Sequence, residues 1–251
     1  MQKSLVVIAL AVTMISLTAF SYINWKSADM KETNLKVEDD DFLYEIGPRF
    51  DAVTKAEISK AYTIFDFLDD RQAPPGELFE SVTINIVEDE WPNGVRVVGD
   101  SEILNVQQRE LLLSAATSTH FSVRGEYHVR NKETGTLEDS SLHPYLTIVP
   151  EKQATYADGN DTFLKYLRSH NRRNLPTLES DKLRPAKLYF KVTTEGKIVD
   201  IRIGNHSGYD TLDKIMMNLL KNAPSAWIPA ENAEGEKVDQ QLVISYGRKG
   251  C

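Results

Sequence analysis

His206 stands beside Ser207, a base next to a hydroxyl nucleophile, the pairing that acyl transfer needs when an acid and an oxyanion hole complete it. His206 closes an apolar-alternating stretch, however, and Ser207-Gly208 occupies the joint before the next helix, so both read as structural. The chain has no Gly-x-Ser-x-Gly turn, no His-Glu-x-x-His pair and no Gly-rich phosphate loop. His120, His128 and His143 fall on neighbouring predicted strands and would meet if the strands brought them together. Nothing in their spacing fixes a ligand set, so solvent-facing strand positions are the simpler expectation. Glu88, Asp89 and Glu90 read as a turn. The single cysteine, Cys251, is the last residue of the sequence. In an oxidising compartment its thiol can bridge to a second chain, and a frayed, inert tail explains it as simply. The expectation is a protein that is not an enzyme, with no catalytic residue, metal ligand or cofactor.

The chemistry then has to be backbone pairing and side-chain fit, which depend on the elements. At net charge −8 the chain lacks the basic face that nucleic acid requires. Ser4 to Tyr22 carries no charge, follows Lys3 and precedes Trp25 and Lys26. As a helix it would rise roughly 28 Å, enough to cross a bilayer core. A cleaved signal with a weak Ala19-Phe20-Ser21 site competes with an anchor bordered by Phe20, Tyr22 and Trp25, and the anchor is favoured. Either way the remainder is exported.

The fold class expected is α+β: an N-terminal membrane helix, a middle α+β domain, and a C-terminal ββαβ domain with one helix on a three-stranded antiparallel sheet. The boundaries are 1–23 for the anchor, 24–40 for a polar tether, 41–150 for the middle domain, 151–185 for a connecting segment with a short helix, and 186–251 for the last domain. In the middle domain Thr54 to Leu68 predicts one helix with Ile58, Ala61, Tyr62, Phe65 and Leu68 on a face, opened by a Thr54/Glu57 capping box. Residues 81–91, 95–99, 121–130 and 141–149 predict strands, and Leu104 to Ala116 a second helix.

In the last domain Leu188, Phe190 and Val192, then Val199, Ile201 and Ile203, alternate along two strands joined at Glu195-Gly196. Asp210 or Thr211 is placed to cap a helix whose apolar face is Leu212, Ile215, Met216, Leu219 and Leu220. Trp227 and Pro229 are placed to plug the open end of the helix–sheet layer. Val238, Gln240, Leu242, Ile244 and Tyr246 alternate in the closing strand. A three-stranded sheet under one helix leaves a bare face and two open edges, which a partner, another domain or a second copy of the chain must cover.

These joints resemble the C-terminal domain of TonB-type energy transducers. Carrying the resemblance are Phe190, Gly196, Ser207, Gly208, the Leu212-Asp213 pair, Trp227, Pro229, Ala230, Gly235 and the strand from Val238. The preceding DGNDTFLKYLRSHN resembles the lead-in of Bacteroidetes-type transducers, so the likeness runs over about residues 150–246. It implies a single-pass inner-membrane protein facing the periplasm, driven by an ExbB/ExbD-like motor, which pulls on TonB-dependent outer-membrane receptors after they add a strand to its sheet. The receiving edge expected is Val238, Asp239, Gln240, Gln241, Leu242, Val243, Ile244, Ser245 and Tyr246. The chain departs from the family in three respects: Phe20 stands four residues after Ser16 where many transducers carry His, all five histidines lie at 120 or beyond, and a folded domain replaces the Pro-rich spacer. Those departures keep open a non-energised envelope adaptor with the same fold, and a cleaved periplasmic binding protein.

Overall fold

The computed structural model describes residues 42–68, 78–87 and 94–249. The uncharged segment 4–22, the tether, the 88–90 turn and Cys251 fall outside the described residues.

The first described strand is not part of the middle domain. Phe42, Tyr44 and Ile46 alternate along β1 (Phe42–Gly47), the period of a strand with one inward face. Phe42 and Tyr44 are 2% and 4% exposed. The chain then enters a second sheet through β2 (Asp51–Thr54). The predicted capping box opens α1 (Lys55–Lys60), with the Glu57 N–H donating to Thr54 Oγ1 at 3.2 Å and the Thr54 N–H to Glu57 Oε2 at 2.7 Å. The predicted helix stops there. Ala61 is extended (φ −62°, ψ 131°), and a separate 3₁₀ turn covers Ile64–Phe67. Asp66 Oδ2 stabilises that restart by accepting the Tyr62 and Thr63 N–H groups, each at 2.8 Å. The break turns Tyr62 out to 61% exposure instead of onto the buried face.

After β3 (Leu78–Val87) and β4 (Arg96–Gly99), Asn105 and Gln108 form a second capping box at α2 (Val106–Ser114). Gln108 is fully buried, its amide donating to the Val82 carbonyl at 2.8 Å. β5 (His120–Arg130) follows. The single strand predicted over 141–149 is two strands, β6 (Leu137–Leu142) and β7 (Tyr145–Val149). They divide at Pro144, which has no N–H for a ladder. The second sheet has order β2-β7-β5-β3-β4 with β6 also on β5; β2 runs parallel to β7 and the other pairs are antiparallel.

The chain returns to the first sheet through β8 (Thr155–Tyr156), α3 (Asn160–Asn171), β9 (Ala186–Val192), β10 (Ile198–Asn205) and α4 (Asp210–Lys221). It ends with β11 (Trp227–Ile228), β12 (Ala230–Glu231), β13 (Lys237–Val238) and β14 (Gln240–Arg248). The sheet order is β1-β14-β9-β10, all antiparallel.

Two separate cores result. One gathers Phe42 and Tyr44 with Phe163 and Leu167 of α3, Leu212, Met216 and Leu220 of α4, and residues out to Tyr246. The other lies within 53–148. The unit containing β1 is therefore discontinuous in sequence, and the second sheet is an insertion into it. This corrects the division at residues 41, 150 and 186.

The expected fold class is also overturned. The described residues are sheet-rich, 42% strand and 24% helix, with four α-helices. The C-terminal sheet has four strands, and two helices rather than one bury their apolar stripes in its core. Among the described residues no helix is long and apolar enough to cross a membrane. The physical reason for the miscount is that an added strand need not be near in sequence. β1 finds β14 because Phe42 and Tyr44 fill its core, burial that contributes about 2 kcal/mol per side chain.

Candidate strand-docking site

β14 is the strand expected to receive a partner, and its residues divide unequally. Val238 lies in β13 and pairs with Ala230. Asp239 separates the two strands and accepts the Thr194 N–H at 3.0 Å. From Gln240 the alternation is as predicted: Gln240, Leu242, Ile244 and Tyr246 are 0–2% exposed. The Gln240 side chain is committed locally, its Oε1 accepting the Ala154 N–H at 2.7 Å and its Nε2 donating to Gln153 at 3.1 Å.

The outer edge of β14 is not open. β1 lies along it in continuous register from Phe42↔Arg248 through Glu45↔Ser245 to Gly47↔Val243. The other side of β14 pairs with β9 from Gln240↔Val192 to Tyr246↔Ala186. The expected bare face is covered as well at its centre, where Val243 and Tyr189 are each 3% exposed. Arg49 lies 5.8 Å from the Tyr189 ring centroid, and the Gln241 N–H donates to Ser118 Oγ of the inserted unit at 3.0 Å. Phe50 fixes the approach of the two units. Its N–H donates to Thr147 Oγ1 at 3.1 Å, and its ring meets His120 and Tyr145 at 5.5 and 5.1 Å. Neither Arg49, Phe50 nor Ser118 carried a signal in the sequence, because each matters only through contacts distant along the chain.

The remaining edge of this sheet is β10. It is irregular: Asp200 takes φ +53°, and the register with β9 shifts between Val199 and Arg202 and again after Ile203. The first shift turns Val199 outward, so Ile198, Ile201 and Ile203 are the residues facing the core rather than Val199, Ile201 and Ile203. A bulged, charged edge resists pairing, and Lys191–Asp200 at 3.0 Å lies across the bulge. Beside it a groove of about 410 Å³ runs between Ile198, Val199 and Ile201 and the end of α4 at Leu220 and Ala223.

The joints that carried the family likeness have physical roles. Gly196 (φ +74°) closes the β9–β10 turn, and a Cβ there would strike the Trp227 carbonyl. Gly208 (φ +89°) passes against the Lys182 carbonyl in the same way. Gly235 (φ +77°) turns β12 into β13 with open space around it. Trp227 is 5% exposed and meets Tyr156, Phe163 and Phe190 ring to ring at 5.6, 5.3 and 5.1 Å, the plug expected of it. Pro229 packs by Gly196, and Leu212 and Ala230 are buried.

Asp213, 4% exposed, is the centre of a buried polar arrangement. The helix cap expected at Asp210 or Thr211 is not made, since Tyr209 is the N-cap and its side chain makes no capping bond to the helix. Instead Asp213 Oδ1 accepts the Tyr246 hydroxyl at 2.6 Å and the Ser207 N–H at 3.2 Å, while Oδ2 pairs with His206 Nδ1 at 2.9 Å. Burial pushes the Asp213 carboxyl up, but the donors Tyr246, Ser207 and His206 outweigh it and hold it below its ordinary value. Burial and the Asp213 carboxylate together push the Tyr246 hydroxyl far up, so it remains a donor.

In this geometry Ser207 is not placed to act as a nucleophile. Ser207 is fully buried and its Oγ bonds to the backbone of Tyr209, while His206 turns to Asp213. Among the described residues His206, Asp210 and Asp213 bring three potential metal ligands within 4.8 Å. The Asp213 oxygens are already occupied by donors, and the positive end of α4 disfavours a cation. The other histidines do not converge. His120 and His128 lie at opposite ends of β5, roughly 26 Å apart at the rise of a strand. His120 is buried at 7% exposure and bonded to Thr147 at 3.0 Å, not solvent-facing as expected. His128 sits between Glu80 at 2.7 Å and Asp139 at 3.0 Å, and His143 packs on Tyr145.

No family model, no curated protein and no solved structure matches the chain.

Proposed function

We propose that this chain is an exported docking protein of the energy-transducer type, attached at the inner membrane and facing the periplasm, which holds an extended segment of an outer-membrane transporter on its C-terminal sheet. One observation carries the reading. The edge of β14 holds a separate extended segment over six paired residues, with alternate side chains seated in the core. That is the geometry of strand addition, in which main-chain bonds give grip and alternate pockets give selectivity. The uncharged run 4–22 supports the location, and the joints from Gly196 to Gly235 support the kinship to transducers.

A second reading is favoured by the same strand. A sheet whose receiving edge is filled by its own β1 also suits an envelope adaptor that is not coupled to a motor. The two readings separate in one experiment. With Cys251→Ser as background, Ser245→Cys is crosslinked in cells to Cys-bearing N-terminal segments of TonB-dependent transporters. Capture that collapses when the proton gradient is discharged supports the transducer. Capture indifferent to the gradient supports the adaptor, and no capture of any transporter segment ends both.

A further inference from the structure

We infer that β1 is a resident stand-in for the partner strand, exchangeable with an extended partner segment that carries two bulky apolar side chains two residues apart. The partner's identity rests on the docking reading above; the exchange itself does not.

β1 has the form of an added strand. Its six residues pair with β14 alone, and it terminates the sheet. Its side-chain grip is concentrated in Phe42 and Tyr44, 2% and 4% exposed, with ring centroids 4.6 Å apart. Leu43 and Ile46 are half-buried and Glu45 is exposed. A foreign segment with bulky apolar groups at the Phe42 and Tyr44 positions, and little constraint between them, makes the same contacts.

The attachment of β1 favours exchange. Residues 48–50 join it to β2, and Phe50 is pinned to the inserted unit by Thr147, His120 and Tyr145. Gly47, the last residue of β1, has no side chain to restrict its backbone, so the chain can turn there while Phe50 stays in place. The receiving edge also keeps its shape without β1. β14 is held from the other side by seven residue pairs with β9 and by the Tyr246–Asp213 bond to α4.

The test uses the full chain in detergent micelles with Cys251→Ser, and a fluorescent peptide copying residues 40–49. In Glu45→Cys/Ser245→Cys, a disulfide across a directly opposed pair locks β1 in place. The peptide is expected to bind the unlocked chain, to lose binding to the oxidised pair, and to regain it on reduction. Tyr44→Ala, which weakens the resident strand, is expected to bind the peptide at least about tenfold tighter because the open fraction rises. Equal binding to the oxidised pair, or an unchanged affinity in Tyr44→Ala, overturns the inference. Hydrogen exchange on the unsubstituted chain gives a reading independent of any variant. Amides shared by β1 and β14 are expected to exchange faster than those shared by β14 and β9, and equal protection overturns the exchange model. If the peptide exchanges while no transporter segment crosslinks, the docking reading falls and the exchange stands. Binding of a fluorescent transporter N-terminal segment to the oxidised pair, whose residue 245 is no longer free to crosslink, does the reverse.

Discussion

The Tyr246 hydroxyl donates to Asp213 Oδ1 at 2.6 Å, joining the last strand of the chain to the first turn of α4 beneath it. The same carboxylate holds the Ser207 N–H, so one side chain fixes the end of β10, the start of α4 and the register of β14. Tyr246→Phe leaves a buried acceptor short of its shortest bond. Urea unfolding is expected to show a loss of about 1–3 kcal/mol, with the slope of the transition unchanged.

Acid should act through the same group. The Asp213 carboxyl is lowered in the folded state, so its contribution is present above the unfolded value near 3.8 and disappears as pH falls through the folded one. Asp213→Asn is expected to be less stable at neutral pH but to show a flatter stability profile below about pH 4. Tyr246→Phe should move the acid loss to higher pH, since a donor that favours the ionised form is gone. Thermal melts from pH 2 to 7 check both.

His128 works with the opposite sign. Its hydrogen bond to Glu80, reinforced by Asp139 and opposed by burial, raises its pKa above 6.5. The tie among β3, β5 and β6 is therefore complete below pH 6.5 and weakens as pH rises through the raised value. His128→Gln is expected to flatten the stability profile on that side. An NMR titration of the ring should place its midpoint above the ordinary histidine value.

The glycines separate two causes of strain. Gly196→Ala meets both a positive φ and the Trp227 carbonyl, whereas Gly235→Ala meets a positive φ in open space. A cost of about 1 kcal/mol is expected at Gly235 and a clearly larger one at Gly196, read from denaturant midpoints of the two variants side by side.

A chain of residues 150–251 lacks β1 and presents the whole outer edge of β14. Unsatisfied edges pair with one another, so sedimentation is expected to find this piece self-associated. Adding a peptide of residues 40–49 should return it toward monomer.

The sequence was most legible where pattern and chemistry are local. Phe190, Leu242 and Ile244 alternate as strands require, Thr54 and Glu57 form the capping box they spell, and Trp227 plugs the layer as its size and place imply. It was least legible where a neighbour distant in sequence decides. Phe42, Tyr44 and Ile46 alternate plainly, yet period two gives a strand and not its partner, so the edge of β14 read as open. Tyr62 fits a helical face until Ala61 leaves the helix, and Val199 fits the strand period until Asp200 takes φ +53°. The Asp213 arrangement was visible only as a residue at a familiar joint. Its partners come from two places far apart in the chain: His206 and Ser207 from the loop before α4, and Tyr246 from β14.

The pairing of β1 with β14 also sets a timetable. Phe42 leaves the ribosome and any export channel long before Arg248, its partner roughly two hundred residues later, so the first described strand must wait for the last. The inserted unit, whose core is complete by residue 148, can fold in the meantime. By folding, it draws the two halves of the outer unit together and shortens the loop that β1 must close. The insertion is thus a built-in assembly jig, and slowing its folding should delay closure of the C-terminal sheet more than any change within that sheet.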